Sequence, residues 1–108
     1  MHKDIFVEKD WKLFRKKVAD WQENYIEKLT RVYIDLLSGE GNASDKFWEL
    51  DKRMKKDKKK AGVLITDMSR SNMIFIIMQL LDEKVITLVD LTDFSEGLRE
   101  RLEFLYRR

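Results

Sequence analysis

From Trp11 to Leu36 the apolar residues return at intervals of three and four: Trp11, Phe14, Val18, Trp21, Tyr25, Leu29, Val32 and Leu36. Those intervals straddle the turn of an α-helix, so these side chains line one stripe of a single long helix. The chain has no proline and four glycines, so little in it can interrupt such a helix. The pattern predicts a first helix from about Asp4 or Asp10 to Leu37. Roughly 27 residues of it would be about 40 Å long at the helical rise. Its second half is broader, adding Ile26, Tyr33 and Leu37, and a widened apolar face is expected to sink into a globular core. Ser38-Gly39 stops it, glycine being the usual residue beyond a helix end.

Gly39-Glu40-Gly41 is the most flexible stretch. Asn42 or Ser44 caps a second helix, and Asn42 with Asp45 three residues on resembles a capping box. Its apolar positions are Phe47, Trp48, Leu50 and Met54; beyond Met54 lysine takes over. The second helix is therefore expected to leave the core there and project into water until Ala61-Gly62 ends it. Val63-Leu64-Ile65 is an apolar link too short for a sheet. Thr66 or Asp67 can cap a third helix over roughly Met68 to Glu83. Its run from Met73 to Met78 is apolar nearly all round, which predicts a central position. The isoleucines there also suit a strand, but length and caps favour helix. Thr87 with Asp90 is a second capping box, before a short helix near Leu88 to Leu91. Thr92, Asp93 or Ser95 opens a last helix, with Phe94, Leu98, Leu102, Leu105 and Tyr106 facing inward. Arg107 and Arg108 fall where cations complement the helix dipole. The expected fold is all-α, one domain over residues 1–108, a bundle of four main helices plus one short helix. The first and third helices are expected to supply most of the core.

Composition narrows the function. Apolar residues at 44% support a core, and charged residues at 39% fit helices with solvated outer faces rather than disorder. Cysteine is absent, which removes disulfides and thiolate chemistry and suits a reducing, cytoplasmic setting. The N-terminal Met1-His2-Lys3-Asp4 has no apolar leader character. The apolar run Met73 to Met78 is far short of the roughly 18 residues a spanning helix needs, so no membrane role is expected.

Net charge is +2, and its distribution is uneven. Lys52 to Lys60 holds seven basic residues and one acid, leaving the rest of the chain acidic. On a helix Lys52, Lys55, Lys56 and Lys59 share one face, a stripe that suits an anionic partner, with Arg53, Lys58 and Lys60 beside it. The same run also suits a solvated helix end. Lysine outnumbers arginine and no aromatic residue interleaves the run, so a stacking platform for single strands is not indicated.

A second candidate is Ser69, Arg70 and Ser71, expected in the first turn of the third helix, where free N–H groups and a guanidinium favour an anion. The plainer reading is a capping cluster with Arg70 paired to a distant carboxylate. Asp90, Asp93 and Glu96 lie at i, i+3, i+6 but lack an EF-hand pattern and read as helix-start acids. The single histidine, His2, anchors neither a triad nor a zinc site. No cofactor, no metal and no enzyme activity are expected. Trp11, Trp21 and Trp48 are expected to be core or helix-packing residues rather than a ligand cage; any one found exposed would be the leading anchor of an interface.

Asp10-Trp11-Lys12-Leu13-Phe14-Arg15, Leu36-Leu37-Ser38-Gly39, Phe47-Trp48-Glu49-Leu50-Asp51-Lys52-Arg53 and Ser69-Arg70-Ser71-Asn72-Met73 together resemble a family of short helical proteins of Firmicutes. Some members carry a multidrug-transporter label, which the lack of a spanning segment contradicts here. In size and charge the chain is also similar to small accessory and inhibitor proteins of mobile elements, including anti-CRISPR proteins. The expectation is a non-catalytic interaction protein. It would dock on a partner protein, for instance as an inhibitor or regulator of a nucleic-acid-processing enzyme, and use Lys52 to Lys60 for steering or for competing at a phosphate-binding channel. Direct nucleic-acid binding is the alternative, and a homodimer through the first helix is a further option.

Overall fold

In the computed structural model, which describes residues 8–106, the chain is all-α, and among those residues there is no strand. Helix α1 runs Glu8–Ser38, α2 Ala43–Asp57, α3 Met73–Asp82 and α4 Glu96–Tyr106. A 3-10 turn at Arg70–Asn72 leads directly into α3, and another at Leu88–Leu91 precedes α4. The Asp4 alternative for the start of α1 lies outside the described residues, and the third helix starts later than Met68. The readings placed on His2, Arg107 and Arg108 lie outside the described residues.

The molecule is long for its size. Its principal extents are 60 × 25 × 23 Å and its radius of gyration is 16.9 Å, against about 13 Å for a globule of this length. The cause is a division within α1. Its first turns carry Trp11, Phe14 and Val18 into the core, where they meet Met73, Ile76, Ile77, Leu80 and Leu81 of α3. Ile86, Leu91, Phe94, Leu98 and Leu102 complete the packing from the chain that follows. An aromatic ladder ties α1 to the start of the last helix. Trp11 and Phe14 lie 6.1 Å apart, Phe14 and Trp21 6.2 Å, and Trp21 and Phe94 6.3 Å.

The remainder of α1 leaves this body, and α2 returns along it. No residue from Ala19 to Lys60 is buried. This corrects two expectations. The widened stripe at Ile26, Tyr33 and Leu37 does not enter the globular core; it faces α2 or solvent in a two-helix arm. The second helix does not project its lysines into water at a free end. Its tip is the Gly39-Glu40-Gly41 loop, and its lysine-rich end returns to the body. The reason is direction: α1 carries the chain outward, so the next helix starts at the far end and must come back.

Local chemistry fixes both ends of α2. Asn42 Oδ1 accepts from the Asp45 N–H at 2.8 Å, which caps the start. Gly41 takes φ +124°, a conformation open to glycine. At the neck, the Glu83 carboxylate accepts from the N–H groups of Ala61 and Gly62, both at 3.2 Å. Gln22 donates to the Ala61 carbonyl at 2.9 Å. A Cβ on Gly62 would lie 2.5 Å from the Tyr25 ring and 2.6 Å from Val85 Cγ2, so the arm can join the body this closely only at a glycine.

The two ends of the body are joined by Asp10. Buried in the first turn of α1, it accepts from the Ser95 N–H at 2.9 Å and the Ser95 hydroxyl at 2.6 Å. Ser95 Oγ in turn accepts from the Leu98 N–H at 3.2 Å. The carboxylate thus sits against the positive end of α4 from 85 residues away. The inward row expected of the last helix is buried at Phe94, just before α4, and at Leu98 and Leu102, with Leu105 and Tyr106 half-buried.

Candidate interaction surface

α2 contributes no buried residue. Its half-buried side is mainly polar, Leu50 apart, and meets an apolar side of α1; across the seam the Tyr33 hydroxyl donates to Asp57 Oδ2 at 2.5 Å. Burial pushes the Tyr33 phenol up to about 12, and the hydrogen bond to the Asp57 carboxylate adds to that shift.

The outer side of α2 carries a line of side chains one turn apart: Trp48, Lys52, Lys55 and, just beyond the helix end, Lys59. Trp48 is 64% exposed at the head of this line, and Phe47 supports it edge-on with ring centroids 4.9 Å apart. Trp48 is thus the exposed tryptophan, not a core residue. The signal was present in its phase. Phe47, Leu50 and Met54 follow helical spacing, whereas Trp48 stands four residues before Lys52 and seven before Lys55.

The structure divides the basic run. Lys55 pairs with Asp51 and Arg53 with Glu49, each at 3.1 Å along the helix. Lys60 turns inward at the neck. Burial works against its charge, but Tyr25 and Asp57 outweigh this and hold its ammonium above the usual lysine range. Among the described residues Lys52, Lys56, Lys58 and Lys59 have no carboxylate within 4.0 Å. Lys52 and Lys56 border a groove of about 510 Å³ whose α1 side is Leu29, Val32 and Tyr33. Lys58 and Lys59 edge a second groove of about 550 Å³ with Leu64, Ile65 and Phe75.

Ser69, Arg70 and Ser71 are brought together, but before and within the 3-10 turn rather than in the first turn of α3. Arg70 makes a two-pronged contact with Glu8, at 2.9 and 2.7 Å, and its guanidinium lies 5.7 Å from the Trp11 ring centre. The hydrogen bond from Arg70 holds the Glu8 carboxyl below its usual range. The hydroxyls of Ser69 and Ser71 lie 3.3 Å from each other. Arg70 therefore has a distant carboxylate as its partner and fastens the start of α1 to the body.

The acids Asp90, Asp93 and Glu96 are not assembled. Asp90 accepts from the Thr87 N–H at 2.8 Å, Asp93 pairs with Lys17 at 3.4 Å, and Glu96 opens α4. No group of three acids or histidines among the described residues can hold a metal ion. No described helix is long and apolar enough to cross a membrane. No family model matches the chain, and no curated protein or solved structure matches it either.

Proposed function

We propose that this protein is a non-catalytic interaction module that docks on an acidic surface of a partner protein through the outer side of α2. The observation that carries the reading is Trp48, 64% exposed at the head of a lysine line. An exposed tryptophan braced by a second aromatic ring fits the anchor of an interface, and the lysines add steering and register. Lys52, Lys56 and Lys59 are available for this, because each lacks an ion-pair partner among the described residues. Acidic clusters that hold magnesium in nucleic-acid-processing enzymes have the matching sign. An inhibitor or regulator of such an enzyme is the form of the proposal that best uses the stripe.

The second reading, direct nucleic-acid binding, is favoured by the same alignment. A base stacked on Trp48 would place its backbone along Lys52, Lys55 and Lys59. One experiment separates the two. The tagged protein is recovered from its native cell with and without nuclease treatment, alongside Trp48→Ala and a Lys52→Glu, Lys55→Glu, Lys56→Glu, Lys59→Glu variant. Capture of a defined partner should survive nuclease, fall about 10-fold or more for Trp48→Ala and vanish for the charge reversal. Nuclease-sensitive recovery and a gel shift that weakens with salt identify the second reading. Undiminished capture by the charge-reversed protein rejects both.

A further inference from the structure

The arm has a second exposed surface, on the side of the hairpin away from Lys52 and Lys56. Its centre is a shallow groove of about 260 Å³ whose lining includes Ile26, Thr30, Met54, Lys58 and Val63. Helical spacing extends it toward the tip. Ile34 and Leu37 follow Thr30 by four and seven residues on α1, and Phe47 precedes Met54 by seven on α2. Ile34 is 60% exposed and Phe47 62%, with Leu37 and Met54 also exposed.

We infer that this face packs against the same face of a second copy of the chain, so that two arms complete one four-helix bundle. Three observations support it. First, the arm is an unfinished core. Ile26, Leu29, Tyr33, Leu36 and Leu50 are half-buried along its seam, yet no residue from Ala19 to Lys60 is fully buried. A pair of antiparallel helices is half of a four-helix bundle, whose core needs four apolar stripes. Second, charge permits self-association. Helical spacing puts Glu27 on the α1 edge of this face, three residues before Thr30, and Lys58 lies on the α2 edge. A two-fold axis along the arm sets Glu27 of each copy opposite Lys58 of the other. Lys52 and Lys56 border the opposite groove, away from the contact.

Third, the area suffices. The 15 residues of α2 rise about 22 Å, and two helices side by side span about 20 Å. Helical surface is ridged, so two such faces together bury on the order of 1,200 Å², the lower bound for a specific interface. The dimer keeps both Trp48 lines on its outside, so it does not depend on the docking role proposed for them.

The test is the solution mass of the full chain by sedimentation equilibrium, from about 1 to 500 µM. The expected result is twice the 13.1 kDa chain mass. Ile34→Glu with Phe47→Glu should give the monomer with the helical circular dichroism of the chain unchanged. Glu27→Lys should weaken the dimer about 10-fold, and adding Lys58→Glu should restore it. Trp48→Ala with Lys52→Glu should leave the mass doubled, which separates this contact from the docking surface. A single-chain mass at every concentration overturns the inference, and so does a dimer indifferent to Ile34→Glu with Phe47→Glu.

Discussion

Three residues hold positions at which small chemical changes have large, specific consequences. Asp10 is buried and accepts two hydrogen bonds from Ser95 just before α4. Asp10→Ala leaves the Ser95 N–H without its acceptor and should lower stability by about 2–3 kcal/mol, read as a shift in the urea midpoint. Gly62→Ala sets a methyl group against Tyr25 and Val85, at 2.5 and 2.6 Å. Overpacking of this kind costs about 1–3 kcal/mol and should appear as a lower melting temperature. Tyr33, raised to about 12, binds its proton more tightly folded than unfolded. Its contribution is therefore complete below about pH 10, the ordinary tyrosine value, and is lost as pH rises toward 12. Absorbance at 295 nm should show one tyrosine titrating late in that window, and Tyr33→Phe should remove that component.

At the scale of elements, helix positions were legible in the sequence and their tertiary partners were not. Spacings of three and four fix the rods, and Asn42 and Thr87 mark starts that the structure confirms. Periodicity says which face of a helix is apolar but not what covers it. The stripe of α1 runs unbroken from Trp11 to Leu36 although only its first turns reach the core. The neck was hidden for a related reason. Glu83 reaching Ala61 and Gly62 depends on packing between segments more than 20 residues apart, and no local pattern encodes it. Part of the candidate surface is readable, since the lysine face is visible in its spacing. Trp48 is of a residue type that favours core or helix-packing positions, and only its phase sets it with the lysines. One contrast tests the division of α1. Phe14→Ala, in the body, should cost about 3–5 kcal/mol, whereas the same change at Phe47, exposed on the arm, should leave the melting of the monomer nearly unchanged.

At the scale of the molecule, the body is assembled from both flanks of the sequence, Trp11 to Val18 and Ala61 to Leu102, with the arm looped out between them. This arrangement fixes an order of events during synthesis. The hairpin contacts are local, so the two rods can form and pair while the ribosome is still adding residues. The body is complete only once Ser95 and Leu102 have left the exit tunnel, because Asp10 lacks its hydrogen-bond donors and the core lacks its last residues before then. Until α3 emerges the nascent chain therefore displays Trp11, Phe14 and Val18 bare, a short aromatic-rich segment of the kind that holding chaperones bind.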